Sequence, residues 1–485
     1  MDHSLMEIKK LITIIVVLGL FLALLIVCQV DVLLTCVLMI WAILFVYSIV
    51  NLKDNIAVFC FLFAFFVFLL GRQVVYALFD RIEVYSFLDT TNTYTYVLLI
   101  LSLISLCFGM WMASNGMKII GISGDCKSFL DSPQFGENYS LACKLFFLFC
   151  LFFSFVAVVF QISFVRTVGY LSTYTNEFGS AGIPSFVLYF ATFTPVALSL
   201  YLATFPSKKH AMQALILYEV YGVMTVFTGQ RYPFIGISMF VLTYIFIRSR
   251  LEKGWVQKKH YIALLVSVPV LVIFLTAYDA IRMGDAFDFK SLGDTIVTFF
   301  DQQGGSINSI RRTIYNADEL RDMHLVSLNS TYSVICENFI ARSLFGIETF
   351  SGNTIERAMA GHDLSARLSL IAYGEGYLSG MGTGSSYIAE LLHDFGVVGV
   401  VFGNIFYGFA LVKISRIHPG NKLLNGIGLA MVYYLFLAPR GGFDAFVGSV
   451  FRIYSFIFFA VIILLAAVLR GDLIAYNWIK DKRNV

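Results

Sequence analysis

Glu390, His393 and Asp394 stand three and four residues apart in the run Tyr387-Ile-Ala-Glu-Leu-Leu-His-Asp-Phe-Gly396. If the run is helical, all three share one face. A carboxylate in such a place can act as general base toward a hydroxyl, its pKa set by burial. An internal ion pair with an arginine is an equally open role. His362, in Ala360-Gly-His-Asp363, is a second candidate base, although a lone loop histidine is more often simply solvated. Arginine supplies the other chemistry. Arg231 sits at the tip of a tight turn, Thr228-Gly-Gln-Arg231. Arg282 lies in Tyr278-Asp-Ala-Ile-Arg-Met-Gly284, Arg440 in Ala438-Pro-Arg-Gly-Gly-Phe-Asp444, and Arg452 one or two turns into the last apolar run. A guanidinium is a planar fork that gives two parallel hydrogen bonds to phosphate oxygens and stays charged when partly buried. Each arginine alone could equally reach toward lipid headgroups. Four at one depth argue for a bound dianion.

A glycine-rich run, Tyr373-Gly-Glu-Gly-Tyr-Leu-Ser-Gly-Met-Gly-Thr-Gly-Ser-Ser386, precedes the acidic helix. Its five glycines in eleven residues let the backbone turn sharply and approach a ligand closely. A flexible return into an apolar span is the other reading. Glu375 lies within this run. Together with His393, Asp394 and Asp444 it makes a polar region that could meet an acceptor.

Several chemistries are missing. There is no GxxxxGK[ST] loop, no Asp-x-Asp pair, no His-Glu-x-x-His, no CxxC and no G-x-S-x-G. ATP hydrolysis by the chain itself, metal-dependent nucleotide-sugar transfer and zinc hydrolysis are therefore disfavoured. No metal and no cofactor is expected, and no nucleic-acid partner. Chemistry outside the cytoplasm would draw its energy from an activated substrate.

The elements that must position these residues are membrane spans. Of 485 residues, 59% are apolar and 13% charged, a composition outside the range of water-soluble domains. Runs of about 20 apolar residues recur, each long enough to cross the hydrocarbon core as a helix. The runs are continuous rather than alternating, which excludes barrel strands. Twelve spans are expected, near 11–30, 32–50, 56–71, 96–114, 145–164, 186–205, 211–228, 232–249, 260–278, 387–412, 423–438 and 446–469. The fold class is thus an all-α polytopic integral membrane protein.

Threading the spans from a cytoplasmic N-terminus places fifteen of the 16 lysines on the inner side and 13 of the 18 arginines on the outer side. The lysines satisfy the positive-inside rule; the outer arginines are not needed for topology. Three regions follow: residues 1–278 with nine spans, a large outer loop at 279–386, and 387–485 with three spans and a cytoplasmic C-terminus. A loop that long without structure would be unusual. Helical spacing in it is expected at Asn329–Phe345, behind Ser330 or Thr331 caps, and at Ser306–Leu320, where Arg311 and Arg312 lie beside Ile310 and Ile314. The first span reads as an uncleaved anchor. Of eight cysteines only Cys336 clearly faces outward, so no structural disulfide is implied.

Three strings, Thr228-Gly-Gln-Arg231-Tyr-Pro, Gly382-Thr-Gly-Ser-Ser-Tyr-Ile-Ala-Glu390 running on to Asp394-Phe-Gly-Val-Val-Gly399, and Pro439-Arg440-Gly-Gly-Phe-Asp444-Ala-Phe, sit around one large late loop. In this the chain resembles the Wzy-type polymerases of bacterial O-antigen, capsule and related polysaccharides. The resemblance covers most of the chain in architecture and about 50 residues in motif. It implies a GT-C-like glycosyltransferase in the cytoplasmic membrane with its site facing the periplasm or exterior. The substrates would be undecaprenyl-diphosphate-linked oligosaccharides. The growing glycan would pass from one lipid diphosphate to the non-reducing end of a new lipid-linked unit, without nucleotide or metal. A chain-length regulator would be a partner, alongside membrane lipids. On this reading Arg231, Arg282, Arg440 and Arg452 hold the diphosphate, and Glu390 or His362 deprotonates the acceptor. A ligase passing finished polysaccharide to another acceptor would share these features. A flippase would instead spread charge along a central cavity and show repeated halves, and no half-to-half similarity is present.

Overall fold

The computed structural model describes residues 2–79, 87–116, 133–175, 182–283 and 291–483. Among the described residues all regular structure is helical. α1 (Asp2–Val27), α2 (Val32–Val50) and α3 (Ile56–Phe65) come first, and a π turn at Phe66–Leu70 joins α3 to α4 (Gly71–Leu78). Then follow α5 (Asp89–Ser114), α6 (Pro133–Val168), α7 (Ser185–Leu202), α8 (Lys208–Val226), α9 (Tyr232–Leu251) and α10 (Lys258–Met283). A run of short helices comes next: α11 (Leu292–Gln303), α12 (Ile307–Tyr315), α13 (Asn329–Cys336), α14 (Phe339–Phe345), α15 (Ile355–Met359), α16 (Leu364–Tyr373) and α17 (Glu375–Leu378). The chain closes with α18 (Tyr387–Ser415), α19 (Lys422–Leu437), α20 (Ala445–Val450) and α21 (Ile453–Arg483).

Among the described residues, eight helical stretches are long and apolar enough to cross a membrane: Val32–Val50, Ile56–Leu78, Asp89–Ser114, Phe135–Val168, Ser185–Leu202, Tyr232–Leu251, Tyr387–Ser415 and Lys422–Arg440. The protein is an all-α polytopic membrane protein. Every expected span overlies a helix, but several helices are longer. α5 starts at Asp89 because its polar first turns, Asp-Thr-Thr-Asn-Thr, are helical although hydropathy does not mark them. The expected final span 446–469 is divided. α20 stops at Val450, and Arg452 lies in the break before α21 rather than inside a helix.

Two features place the site. The first is the crossing of α5 and α18. A Cβ on Gly109 would lie 2.1 Å from the Ile405 carbonyl oxygen, and one on Gly408 would lie 2.1 Å from that of Leu106. The two backbones therefore touch, as small residues allow between membrane helices. The second is α3, with eight of its ten residues buried, the pattern of a helix packed on all sides. Past its π turn, the ring of Phe300 occupies the space beside Gly71, with Cδ1 only 2.3 Å from where a Cβ would be, and Gly304 sits against the Arg72 backbone. The end of α11 is thereby pressed onto the start of α4, which sets Arg72 beside Gln303.

The opposite end of the bundle is built on Arg248, 2% exposed. Its guanidinium lies 4.6 Å from the Trp255 ring centroid and donates to the Pro206 carbonyl (2.8 Å), the Tyr244 hydroxyl (3.0 Å) and Glu252 (2.5 Å). Lys208 donates to the Gly254 carbonyl at the same end.

Candidate functional site

Arginines gather from four separate elements. Arg72 follows the π turn; its Nε donates to the Asp301 carbonyl at 2.8 Å and pairs with the Asp301 carboxylate at 3.2 Å. Arg440 closes a 3-10 turn, Ala438–Arg440, begun by a proline-bearing segment; it donates to Gln303 Oε1 at 3.0 Å and its guanidinium lies 5.6 Å from the Phe68 ring centroid. Arg231 sits at the tip between α8 and α9, where Pro233 in the first turn of α9 starts the helix directly after it. It donates to the Leu275 carbonyl at 3.1 Å and to Gln302 at 3.4 Å. Arg312 comes from α12 and lies 5.9 Å from the Tyr373 ring centroid.

Arg72, Arg312 and Arg440 line one cavity of about 200 Å³, together with Gln303, Gly382 and Thr383. No carboxylate is among the described residues lining it. Gln303 is 4% exposed, and among the described residues its Nε2 has no hydrogen-bond partner. Because Arg440 donates to Oε1, the amide is oriented with its NH2 left to donate. A buried donor without an acceptor costs about 1–3 kcal/mol, and an oxyanion in the cavity would satisfy it. Beside Arg440, Tyr174 bonds the Tyr170 hydroxyl at 2.9 Å. Burial holds its phenol above the usual range, against a weaker pull downward from Arg440, so it remains a neutral donor.

A second, larger cleft of about 910 Å³ is lined by Arg342, Arg357, Arg452 and His362, and by Tyr189 and Phe458. Arg452, expected beside Arg231 and Arg440, is thus in a different cavity; its Nη1 donates to the Tyr454 hydroxyl at 2.9 Å. His362 Nδ1 lies 2.9 Å from the His324 carbonyl. A carbonyl can only accept, so Nδ1 carries the proton and Nε2 is left for another partner. The imidazole stacks on Tyr332 at 4.0 Å. α16 joins the two cavities. Its N-cap, Asp363, lines the cleft, and its last residue, Tyr373, lines the arginine pocket.

The acidic residues are engaged with neighbours. Glu390, 6% exposed, accepts from Ser385 Oγ at 2.7 Å and from the Phe443 amide at 2.8 Å. It therefore ties the end of the glycine-rich run to the segment carrying Arg440. Asp394 accepts from the amides of Val326 (3.2 Å) and Ser327 (2.7 Å) and from Ser327 Oγ (2.6 Å). Asp444 accepts from the amides of Ser330 (3.1 Å) and Thr331 (2.6 Å). Ser330 and Thr331, expected as caps, are themselves capped from another element. Asn338 then divides the expected single helix, accepting from Ile340 and Ala341 at 3.0 Å each to start α14. His393 bridges Asp394 and the Leu320 carbonyl. Glu390, His393 and Asp394 do precede a break, because Gly396 has φ 61°, ψ −153° within α18, a backbone state open to glycine. Glu375 is exposed in the first turn of α17. The Arg282 side chain lies outside the described residues.

Reading the sequence did not single out Arg72, Gln303 or Arg312 as site residues. Arg72 stands one residue past an apolar run and reads as its end. Arg312 reads as the polar side of an amphipathic helix. Gln303 carries no charge or motif. Only the packing of α11 on α4 brings the three together.

The profile of one family, described as O-antigen polysaccharide polymerase Wzy, matches residues 10–471. No curated protein and no solved structure matches the chain.

Proposed function

The chain belongs to the O-antigen polysaccharide polymerase Wzy family, and from that premise we propose that it joins lipid-linked oligosaccharides through the arginine pocket. The family makes it a glycosyltransferase-like polymerase acting on lipid-linked oligosaccharides in the membrane. On the present reading the donor is a growing glycan on undecaprenyl diphosphate. The acceptor is the non-reducing hydroxyl of a second lipid-linked unit. The site faces the periplasm or exterior of a bacterial cytoplasmic membrane, with the lysine-rich end in the cytoplasm. Nucleotide and metal take no part, and a chain-length regulator is a partner.

The observation that carries this reading is the pocket of converging guanidinium groups at Arg72, Arg312 and Arg440, with a buried Gln303 NH2 that has no acceptor among the described residues. The donor diphosphate lies there, with Arg231, bonded to the pocket-lining Gln302, adding charge beside it. As the acceptor oxygen bonds to the anomeric carbon, the bond from that carbon to the diphosphate breaks and its electron pair leaves on the diphosphate. Fixed cations stabilise that developing charge without reorganising.

The acceptor proton needs a base within hydrogen-bond reach of the reacting hydroxyl. α16 has ten residues and rises about 15 Å, which puts His362 too far from a sugar carbon held at the pocket. Glu390 is nearer in structure. Ser385, two residues past the pocket-lining Thr383, donates to its carboxylate. A sugar hydroxyl that donates to Ser385 Oγ would pass its proton through that hydroxyl to Glu390. Glu390 is then the base, Ser385 the relay, and the Phe443 amide the group that orients the carboxylate.

The test is chain growth by purified protein in nanodiscs supplied with lipid-linked repeat units. Arg440→Ala and Arg312→Ala are expected to lower the rate roughly 10²–10³-fold while the protein stays folded. Normal growth in both would remove the diphosphate from this pocket.

A further inference from the structure

Two arginine-lined cavities stand at the two ends of α16, and they differ in kind. The pocket at Tyr373 is walled by polar groups. The cleft at Asp363 combines cationic and apolar lining: Arg342, Arg357 and Arg452 share it with Phe339, Phe350, Ile457 and Phe458. Glu337 also lines it, and Asp363 there is engaged by Arg357 at 2.7 Å. Arg342 and Arg452 therefore outweigh the remaining acid. A diphosphate esterified to an isoprenoid matches such a lining, with an anionic head for the arginines and a hydrocarbon tail for the apolar groups.

The rim of the cleft is apolar and exposed. In α14 only Ala341 is buried, while Phe339, Leu344 and Phe345 are 66%, 71% and 76% exposed. The fold itself gives this helix almost no core to rest on. Its apolar side chains continue the exposed surface of Tyr189, Phe456 and Ile457 on α7 and α21, one of which, α7, is long and apolar enough to span the membrane. A short helix with one basic residue, Arg342, beside exposed Phe and Leu suits the headgroup boundary of a leaflet.

We propose that this cleft is the site of the acceptor lipid: its diphosphate binds Arg342 and Arg452, and its isoprenoid runs over α21 under α14, which lies in the leaflet. The inference rests on the polymerase reading and deepens it. The acceptor reacts through its non-reducing end, the end of the oligosaccharide farthest from its own diphosphate. Its hydroxyl reaches a donor held in the arginine pocket only if the two diphosphates are kept apart. α16, ten residues long, sets that separation at about 15 Å, the scale of a short oligosaccharide lying along it. Among the described residues nothing bonds His362 Nε2, which can accept a hydrogen bond from a sugar hydroxyl along the way.

The experiment has a binding arm and a kinetic arm. Native mass spectrometry counts farnesyl diphosphate molecules on the protein in nanodiscs. Two are expected on the wild type, and one each on Arg342→Ala/Arg452→Ala and on Arg312→Ala/Arg440→Ala. One on the wild type, or two on Arg342→Ala/Arg452→Ala, overturns the second site. In chain growth, Arg342→Ala/Arg452→Ala is expected to raise the KM for the acceptor unit tenfold or more while the donor KM holds. An equal rise in both would mean a single shared site. Should the double variant misfold, Arg452→Gln alone is expected to give the same split in smaller degree, and an unchanged acceptor KM there refutes the proposal. A wild type that binds two diphosphates yet joins no units would overturn the polymerase reading and leave the second site standing.

Discussion

Glu390 separates a chemical role from a structural one, because two substitutions act differently on the same contacts. Its carboxylate accepts from Ser385 Oγ at 2.7 Å and from the Phe443 amide at 2.8 Å. In Glu390→Gln the amide oxygen can still accept from Phe443, and the new NH2 can donate to Ser385 Oγ, since a hydroxyl both donates and accepts. Both contacts survive, so folding stability is expected to change by less than about 1 kcal/mol. The proton acceptor is gone, however, and general-base catalysis is worth roughly 10²–10⁴ in rate. Glu390→Ala loses both contacts and leaves the Phe443 amide and the Ser385 hydroxyl without a partner, at about 1–3 kcal/mol each. Chain growth in nanodiscs, thermal unfolding, and hydrogen exchange of the peptide spanning Phe443 report these separately. Glu390→Gln should melt like the wild type, keep the Phe443 amide protected and lose chain growth. Glu390→Ala should lose growth, melt lower and exchange at Phe443 tenfold faster or more. Full growth by Glu390→Gln would refute the base assignment and leave Glu390 as a tie between the glycine-rich run and the Arg440 segment.

Arg440→Lys is expected to recover only part of the activity lost in Arg440→Ala, because an ammonium cannot give two parallel hydrogen bonds to phosphate oxygens; equal rates for lysine and arginine in chain growth would argue against bidentate binding. His362→Ala should slow growth at low acceptor concentration and approach the wild-type rate at saturation; a fall in kcat with an unchanged acceptor KM would make it the base after all. Asp444→Ala strips the carboxylate from the Ser330 and Thr331 amides, and at about 1–3 kcal/mol per orphaned donor hydrogen exchange over 329–336 should rise while that over α5 stays protected. Gly408→Ala puts a Cβ 2.1 Å from the Leu106 carbonyl oxygen, so α5 and α18 must separate; a loss of about 1–3 kcal/mol in thermal unfolding is expected from such overpacking.

What could be read in the sequence depended on whether the signal was local. The spans are local: about 20 apolar residues in a row specify a helix in lipid wherever the rest of the chain goes, so each expected span overlies a helix. The divided end is not. Nothing in Val450-Phe-Arg-Ile453 resembles a break; α20 stops there packed against α13, and the guanidinium of Arg452 bonds Tyr454. Arg231 and Arg440 could be picked out because a turn and a Pro-Arg-Gly-Gly string mark them. Arg72 and Gln303 could not, since their proximity comes from a phenyl ring filling the space beside Gly71, a contact between residues 71 and 300. The acids show the sharpest difference. Spacing put Glu390 and Asp394 on one helical face, yet each serves another segment: Glu390 the Arg440 strand of chain, Asp394 the amides at 326–327. Helical spacing decides which side chains are neighbours and says nothing of which amides across the fold will need an acceptor. Asp394 and Asp444 meet that need for the segment between α12 and α14, and so fasten the cleft-lining α13 to the membrane helices. A carboxylate with its oxygens committed to backbone amides is poorly suited to accept a substrate proton. That leaves Glu390, whose one oxygen faces a hydroxyl that can relay, as the acid from which proton transfer can be drawn.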